Sequence, residues 1–284
     1  MLDNGGVKIK AGFAGQDAPE SIFSNIIGRS KYANSINYVE SYVGDEAQAR
    51  RDILSLSYPI ERGIITNWDD MEKIWEHTFQ KELKTLPEEH PVLLTDHPLN
   101  PLANREKMTQ LLFEKFNTVA TYTAIDAILS FYANGRTSGM ILQSGESGTH
   151  ILPIYEGYTL RCSVTRVNLG GFDMTNHLKK LLSQKGYSFS NNSAEREIIR
   201  DIKEKLTYIA LDYDEESKKN DLSKSYELPD GQLITLDKER FKCPEALFNP
   251  SIMGTEDNGI HQYLWDAIVK CDIDTRRVII NINL

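Results

Sequence analysis

The chain has 284 residues, 40% hydrophobic and 26% charged, with a formal net charge of −9. That balance predicts a soluble globular protein of about two domains, and it disfavours nucleic acid or an anionic membrane surface as partner. No apolar run approaches the ~18 residues of a membrane span. The start, Met1-Leu2-Asp3, has neither the basic region nor the apolar core of a signal peptide. Cys162, Cys243 and Cys271 are odd in number and widely spaced, which argues against disulfides or a zinc site and for buried thiols in a reducing cytosol.

In chain order, the first informative segment is Asp3-Asn4-Gly5-Gly6-Val7-Lys8-Ile9-Lys10, read as strand, glycine turn and returning strand. A helix is predicted over 69–79, with Met71, Ile74 and Trp75 at helical spacing. Strands follow at 91–95 and 119–123, separated by a helix over 104–116 capped by Asn104. A helix over 123–131 stops before Asn134-Gly135. A second glycine hairpin comes next: a strand at 139–142, the turn Gln143-Ser144-Gly145-Glu146-Ser147-Gly148, and a strand at 150–154. A charged helix is predicted over 193–208, a solvated loop over 215–221 and a last strand at 278–282. Alternating strands and helices give an α/β architecture. Glycine turns expose successive backbone N–H groups that can cradle phosphate oxygens, so two of them, about 140 residues apart, read as a clamp on a phosphate tail.

The sequence resembles actin. The resemblance rests on KAGFAG (10–15), SYVGDEAQ (41–48), YPIERGIITNWDDMEKIWEHTF (58–79), PLNPLANREKMTQ (98–110), GRTSG (135–139), PIYEGY (153–158), AEREIIRDIKEKL (194–206), SYELPDGQ (225–232) and KCDID (270–274). It implies the actin-like ATPase fold, two α/β lobes around a nucleotide cleft with a ribonuclease H-like core, here expected to be incomplete at both termini. The lobes would span 1–133, with an inserted small subdomain near 25–58, and 134–284, with one near 170–255. The helix around 124–131 would be the hinge. The resemblance also implies ATP or ADP with Mg2+ or Ca2+ as cofactor, actin filaments or actin-binding proteins as partners, and a cytoplasmic, cytoskeletal setting.

The site is carried over residue by residue. Asp3 matches an aspartate that orients the metal's water shell, and Lys10 a lysine that contacts phosphate; Gly5 and Gly6 form the turn between them. Gly6 replaces a serine and Val7 a glycine. If that glycine needs positive φ, valine there is strained by about 1–3 kcal/mol. In the second hairpin, actin's Asp-Ser-Gly-Asp-Gly is Gln143-Ser144-Gly145-Glu146-Ser147, followed by Gly148; His150 matches a histidine that holds the attacking water. Asp126 stands where actin has the glutamine that positions that water. The exchange of Asp126 and Gln143 is open to three readings: drift in a dead site, a swap in which Asp126 replaces the lost carboxylate at the metal, or coincidence in a chain that binds nucleotide without hydrolysing it. Gly171, Arg200, Lys203 and Glu204 match base and ribose contacts, while Phe172 replaces an arginine and Arg62 a histidine.

Actin's third nucleotide loop and C-terminal helices have no counterpart after Asp274, and the strand leading into the first hairpin is nearly missing. Weakened nucleotide binding and little hydrolysis are expected; the alternatives are a working ATPase in which Asp126 replaces the lost carboxylate, and a non-functional truncated actin paralogue or filament-capping fragment. The segment 30–41 is a shortened form of a loop that inserts into the next subunit, and 248–254 resembles an apolar plug, whose Ile-Met pair reads equally as an exposed contact or as local core. Self-polymerisation is therefore not expected.

Overall fold

Three parallel strand ends meet at one edge of a sheet, and they position the site. The computed structural model describes residues 1–31, 41–190 and 192–281. The chain opens with β1 (Leu2–Asn4), β2 (Lys8–Ala11) and β3 (Ser21–Ser24), then β4 (Ile27–Ser30), β5 (Tyr42–Val43), α1 (Asp45–Ala49) and β6 (Leu54–Ser57). The short hairpin β7 (Ile60–Glu61) and β8 (Ile64–Ile65) leads to α2 (Trp68–His77), β9 (Val92–Asp96), α3 (Leu102–Glu114), β10 (Thr121–Ile125) and α4 (Asp126–Ala133). The chain continues with β11 (Gly139–Ser144), β12 (Thr149–Tyr155), β13 (Tyr158–Thr159), β14 (Thr165–Val167), α5 (Gly171–Gln184), α6 (Ser193–Leu206) and α7 (Tyr213–Lys218). It closes with β15 (Lys224–Glu227), β16 (Leu233–Leu236), α8 (Glu239–Glu245), α9 (Ile260–Val269) and α10 (Ile273–Asn281).

The first sheet runs β10-β9-β1-β2-β3. β1 pairs parallel to β9, β9 parallel to β10, and β1 antiparallel to β2, with Asp3 opposite Lys10. The strand expected to be nearly missing is reduced to the three residues of β1, which sits in the middle of the sheet. Below the sheet, Trp75, Met71, Ile74, Leu94, Met108 and Leu112 form a core with almost no exposure. Trp75 also donates its indole N–H to Asn4 Oδ1 (3.1 Å), tying β1 to α2. A small sheet, β5-β4-β6, has its own core of Ile26, Ala47, Leu54 and Leu56. β11 to β14 form a second large sheet, and α5, α6, α8 and the β15–β16 pair enclose a further core around Leu178, Leu182, Ile202 and Ile234.

Several elements differ from the sequence expectation. The run 278–282 falls within helix α10 up to Asn281 rather than a strand: its β-branched residues are outweighed by packing, with Ile279 buried and α10 lying against α9, β11 and β12. Residues 123–125 extend β10, because Thr123, Ala124 and Ile125 complete the parallel pairing with Leu94, Thr95 and Asp96; the helix starts only at Asp126. α3 starts at Leu102, after Pro101, so the expected cap Asn104 lies inside it. α6 ends at Leu206, and residues 215–218 are helical in α7, capped by Asp212. Cys162 is exposed, unlike the buried Cys243 and Cys271. Ile252 and Met253 are half-buried, with Met253 packed on the core, so that pair is not an exposed plug. Most of the expected inserting loop, 32–40, lies outside the described residues.

Candidate functional site

The C-terminal ends of β1, β9 and β10 deliver Gly5, His97 and Asp126 to one edge of the first sheet, the place where open α/β sheets collect ligand-binding residues. Facing them, the β11–β12 hairpin presents Gln143 and His150, which are cross-strand partners and therefore share a face. Together they line a cleft of about 640 Å³ that also includes Asp3, Lys10, Gly145 and Lys203.

The two glycine turns approach each other closely. A Cβ placed on Gly6 would lie 2.4 Å from Ser147 Oγ, so the tip of the first turn abuts the second, whereas one on Gly145 would meet nothing within 4 Å. Neither Gly5, Gly6 nor Val7 has positive φ, so the condition under which Val7 would be strained is not met. The second turn closes through Gly145 N–H to Gly148 O (3.0 Å). Its carbonyls are held by the start of α5: Gly171 N–H donates to Gly145 O (2.9 Å) and Phe172 N–H to Glu146 O (3.0 Å).

Asp126 is held from three sides. As the first residue of α4 it accepts from its neighbour's backbone, Ala127 N–H to Oδ1 at 2.7 Å, and from Gln143 Nε2 to Oδ2 at 2.9 Å. His97 Nδ1 lies 2.9 Å from the same Oδ2, in an ion pair whose alignment falls short of a hydrogen bond. Burial alone would raise the Asp126 carboxyl, but contact with His97, its charge, the Ala127 N–H and the Gln143 amide hold it below the usual carboxylate range. Burial works against a charged imidazole at His97. The contact and charge of Asp126, with Asp96 and Asp3 further off, outweigh it and raise His97 above the ordinary histidine value. His150 stacks on His97 with ring centroids 5.4 Å apart and planes 11° apart. Burial and the adjacent His97 charge push His150 down to about 4, so this imidazole is neutral. The Nε2 atoms of both rings and Gln143 Oε1 are buried without a hydrogen-bond partner. Buried polar atoms normally have partners, so such a group at a cleft wall fits a site that receives a polar ligand.

The remaining residues divide between this cleft and its surroundings. Asp3 accepts from Thr95 Oγ1 (2.7 Å) and pairs with Lys10 (3.1 Å). Lys203 donates to Gly171 O (2.8 Å) and Thr175 Oγ1 (3.0 Å) and pairs with Glu146 (3.4 Å). Glu204 is largely exposed on the cleft rim. Arg200 instead faces a neighbouring cavity of about 520 Å³ and pairs with the buried Glu197 (2.5 Å). No cluster of three or more His, Cys, Asp or Glu side chains arranged to hold a metal occurs among the described residues.

Two features escaped the sequence reading. His97 carries no motif; its position just after the 91–95 strand was the available signal. Arg62 reaches across to α5, with its two terminal nitrogens 2.6 Å from the two Asp173 oxygens. Phe172 lies between Arg62 (5.1 Å) and Arg196 (4.3 Å). The departures at 62 and 172 are thus partners in one contact.

A mixed α/β fold with two glycine-rich hairpins meeting across one cleft defines the class. A family model described as Actin matches residues 1–282. The chain belongs to the actin family and has the α/β actin-like fold.

Proposed function

We propose that this protein is a cytoskeletal, ATP- or ADP-binding member of the actin family, associated with actin filaments or actin-binding proteins in the cytoplasm, with weak nucleotide binding and little hydrolysis. On this reading the lobes 1–133 and 134–284 close on the nucleotide, and Gly5, Gly6, Gly145 and Gly148 cradle its phosphates. The observation that carries it is the meeting of the two glycine turns, Gly6 against Ser147, at a cleft lined by Lys10, Lys203 and the unpartnered Nε2 of His150. A directly ligated ion does not fit the donor set, since Asp3 is engaged by Thr95 and Lys10. Mg2+ or Ca2+ fits as an ion carried on the phosphates, with Asp3 meeting its water shell. Little hydrolysis is supported by the engagement of Asp126 with His97, Gln143 and Ala127, which leaves its carboxylate poorly placed to hold a lytic water.

Thermal unfolding with and without Mg-ATP tests this. ATP at about 100 times its dissociation constant adds roughly 2.7 kcal/mol of stability, with release of phosphate at background. No shift at millimolar ATP would sink the nucleotide reading, and turnover well above background would sink the low-hydrolysis reading.

A further inference from the structure

The carboxylates around the sheet edge each have a cation of their own. Asp3 pairs with Lys10 at 3.1 Å, Asp96 with Arg105 at 2.5 Å, and Glu146 with Lys203 at 3.4 Å. Asp126 has His97. Its other two contacts, the Gln143 amide and the Ala127 N–H, are neutral. The groups facing His97 are Asp126 from α4, Asp96 from β9, Asp3 from β1 and His150 from β12, with Arg166 of β14, the cross-strand partner of His150, on the same face of that sheet. Gly63, at the tip of the β7–β8 turn, closes over the ring: a Cβ there would lie 2.6 Å from His97 Cδ2. His97 is therefore fixed between the turn, His150 and Asp126, with its Nε2 buried and unpartnered at the cleft wall.

We propose that His97 is a positioning residue of the cleft: its imidazolium neutralises Asp126, so that the site accepts the anionic tail of a nucleotide that an unpaired carboxylate there would repel. This rests on the nucleotide reading above. Two opposite cases set the scale. With His97 present, the Asp126 pair is neutral and the glycine turns and Lys10 determine binding. Without it, a carboxylate about 5 Å from a phosphate oxygen, at an effective dielectric near 20, repels it by an amount equivalent to at most roughly 200- to 300-fold in affinity, and to roughly 10- to 100-fold where solvent screens part of it.

The test is calorimetric titration of Mg-ATP and of inorganic tripolyphosphate into the intact chain, His97→Asn, and the double variant His97→Asn with Asp126→Asn, at low salt. His97→Asn is expected to weaken both ligands roughly 10- to 100-fold, and the double variant to recover at least tenfold of that loss. A merely structural histidine would not be rescued by removing the Asp126 charge. Should His97→Asn fail to fold, the pH profile of the intact chain decides. Affinity is expected to fall as pH rises through the loss of the His97 proton, and Asp126→Asn is expected to flatten that fall. Equal affinity of His97→Asn and the intact chain, a double variant as weak as His97→Asn, or a flat pH profile overturns the inference alone. No binding of either ligand by the intact chain overturns it together with the nucleotide reading.

Discussion

His97 and His150 stack face to face yet are pushed in opposite directions, because Asp126 contacts His97 while His150 is buried beside the His97 charge. His97 is raised above its ordinary value because Asp126 favours its charged form; His150 is lowered to about 4 by burial and by the His97 charge. The signs follow by linkage. A raised histidine adds stability that is present below its unfolded value, near 6.5, and is lost as pH rises through the higher folded value. A buried histidine lowered to about 4 works the other way: as pH falls from about 6.5 the unfolded chain takes up a proton that the folded chain refuses, so stability is lost toward acid. Stability should therefore peak near pH 6.5 as far as these two groups decide it. His150→Asn should flatten the acid limb, on the order of 3 kcal/mol by pH 4, and His97→Asn the alkaline limb. Urea unfolding between pH 4 and 9 checks both; an acid limb unchanged in His150→Asn would contradict the assignment.

At the scale of elements, the β7–β8 hairpin does two jobs through one turn. Arg62 (φ 50°) and Gly63 (φ 77°) both lie in the left-handed region, the pattern of a two-residue hairpin turn. For arginine that conformation is costly, about 1–3 kcal/mol, and it persists because the side chain is anchored on the other side of the cleft. Its guanidinium engages Asp173 with both nitrogens, and Arg166 donates to its carbonyl at 2.5 Å. Nearby, Glu197 of α6 is buried and accepts from Tyr58 (2.7 Å) and Gln48 (3.1 Å), so α6 and the small sheet are tied by the same logic. Arg62 is about one-third exposed (35%), which limits the ion pair to about 1 kcal/mol, with the contact to Phe172 adding a similar amount. Arg62→Ala should lower stability by roughly 1–2 kcal/mol and speed amide exchange in the first turn of α5. Unchanged exchange there would show that Glu197 alone holds the two sides together.

For the molecule as a whole, the decisive surface is the one it offers to other subunits. Ile252 and Met253, which resemble a filament plug, are half-buried, and Met253 contributes to the core around Leu178 and Ile202. Little apolar surface is left there for a second strand of subunits. In sedimentation under polymerising salt, the pure protein should stay in the supernatant and should pellet only with filaments of a complete actin. A nucleotide-dependent pellet of the pure protein would refute this. The helices are short, and none among the described residues is long and apolar enough to cross a membrane.

The family and the α/β class were legible in the chain itself, because long runs of residues carry them and because both glycine hairpins are local: turn, strand and return lie within about ten residues. The α2 helix was readable for the same reason, from the helical spacing of Met71, Ile74 and Trp75, and α6 from its charged run; the Asn67 and Asn192 caps at their starts are seen in the structure. The 278–282 run was misread because β-branched residues favour strands only where a neighbouring strand receives them, and here α9, β11 and β12 present packing surfaces instead. Strain at Val7 was conditional on a positive φ that the sequence could not decide, and Val7 does not have one. The site itself was half visible. Asp3, Lys10, Asp126, Gln143 and His150 could be named from the resemblance, but the partners of Asp126 depend on which strand ends come together. Only the parallel pairing of β1, β9 and β10 brings His97, 29 positions from Asp126 in the chain, to within 2.9 Å of it. The charge of a residue is written in the sequence; the charge it is set against is decided by tertiary structure, because electrostatic energy depends on distance and burial rather than on order along the chain.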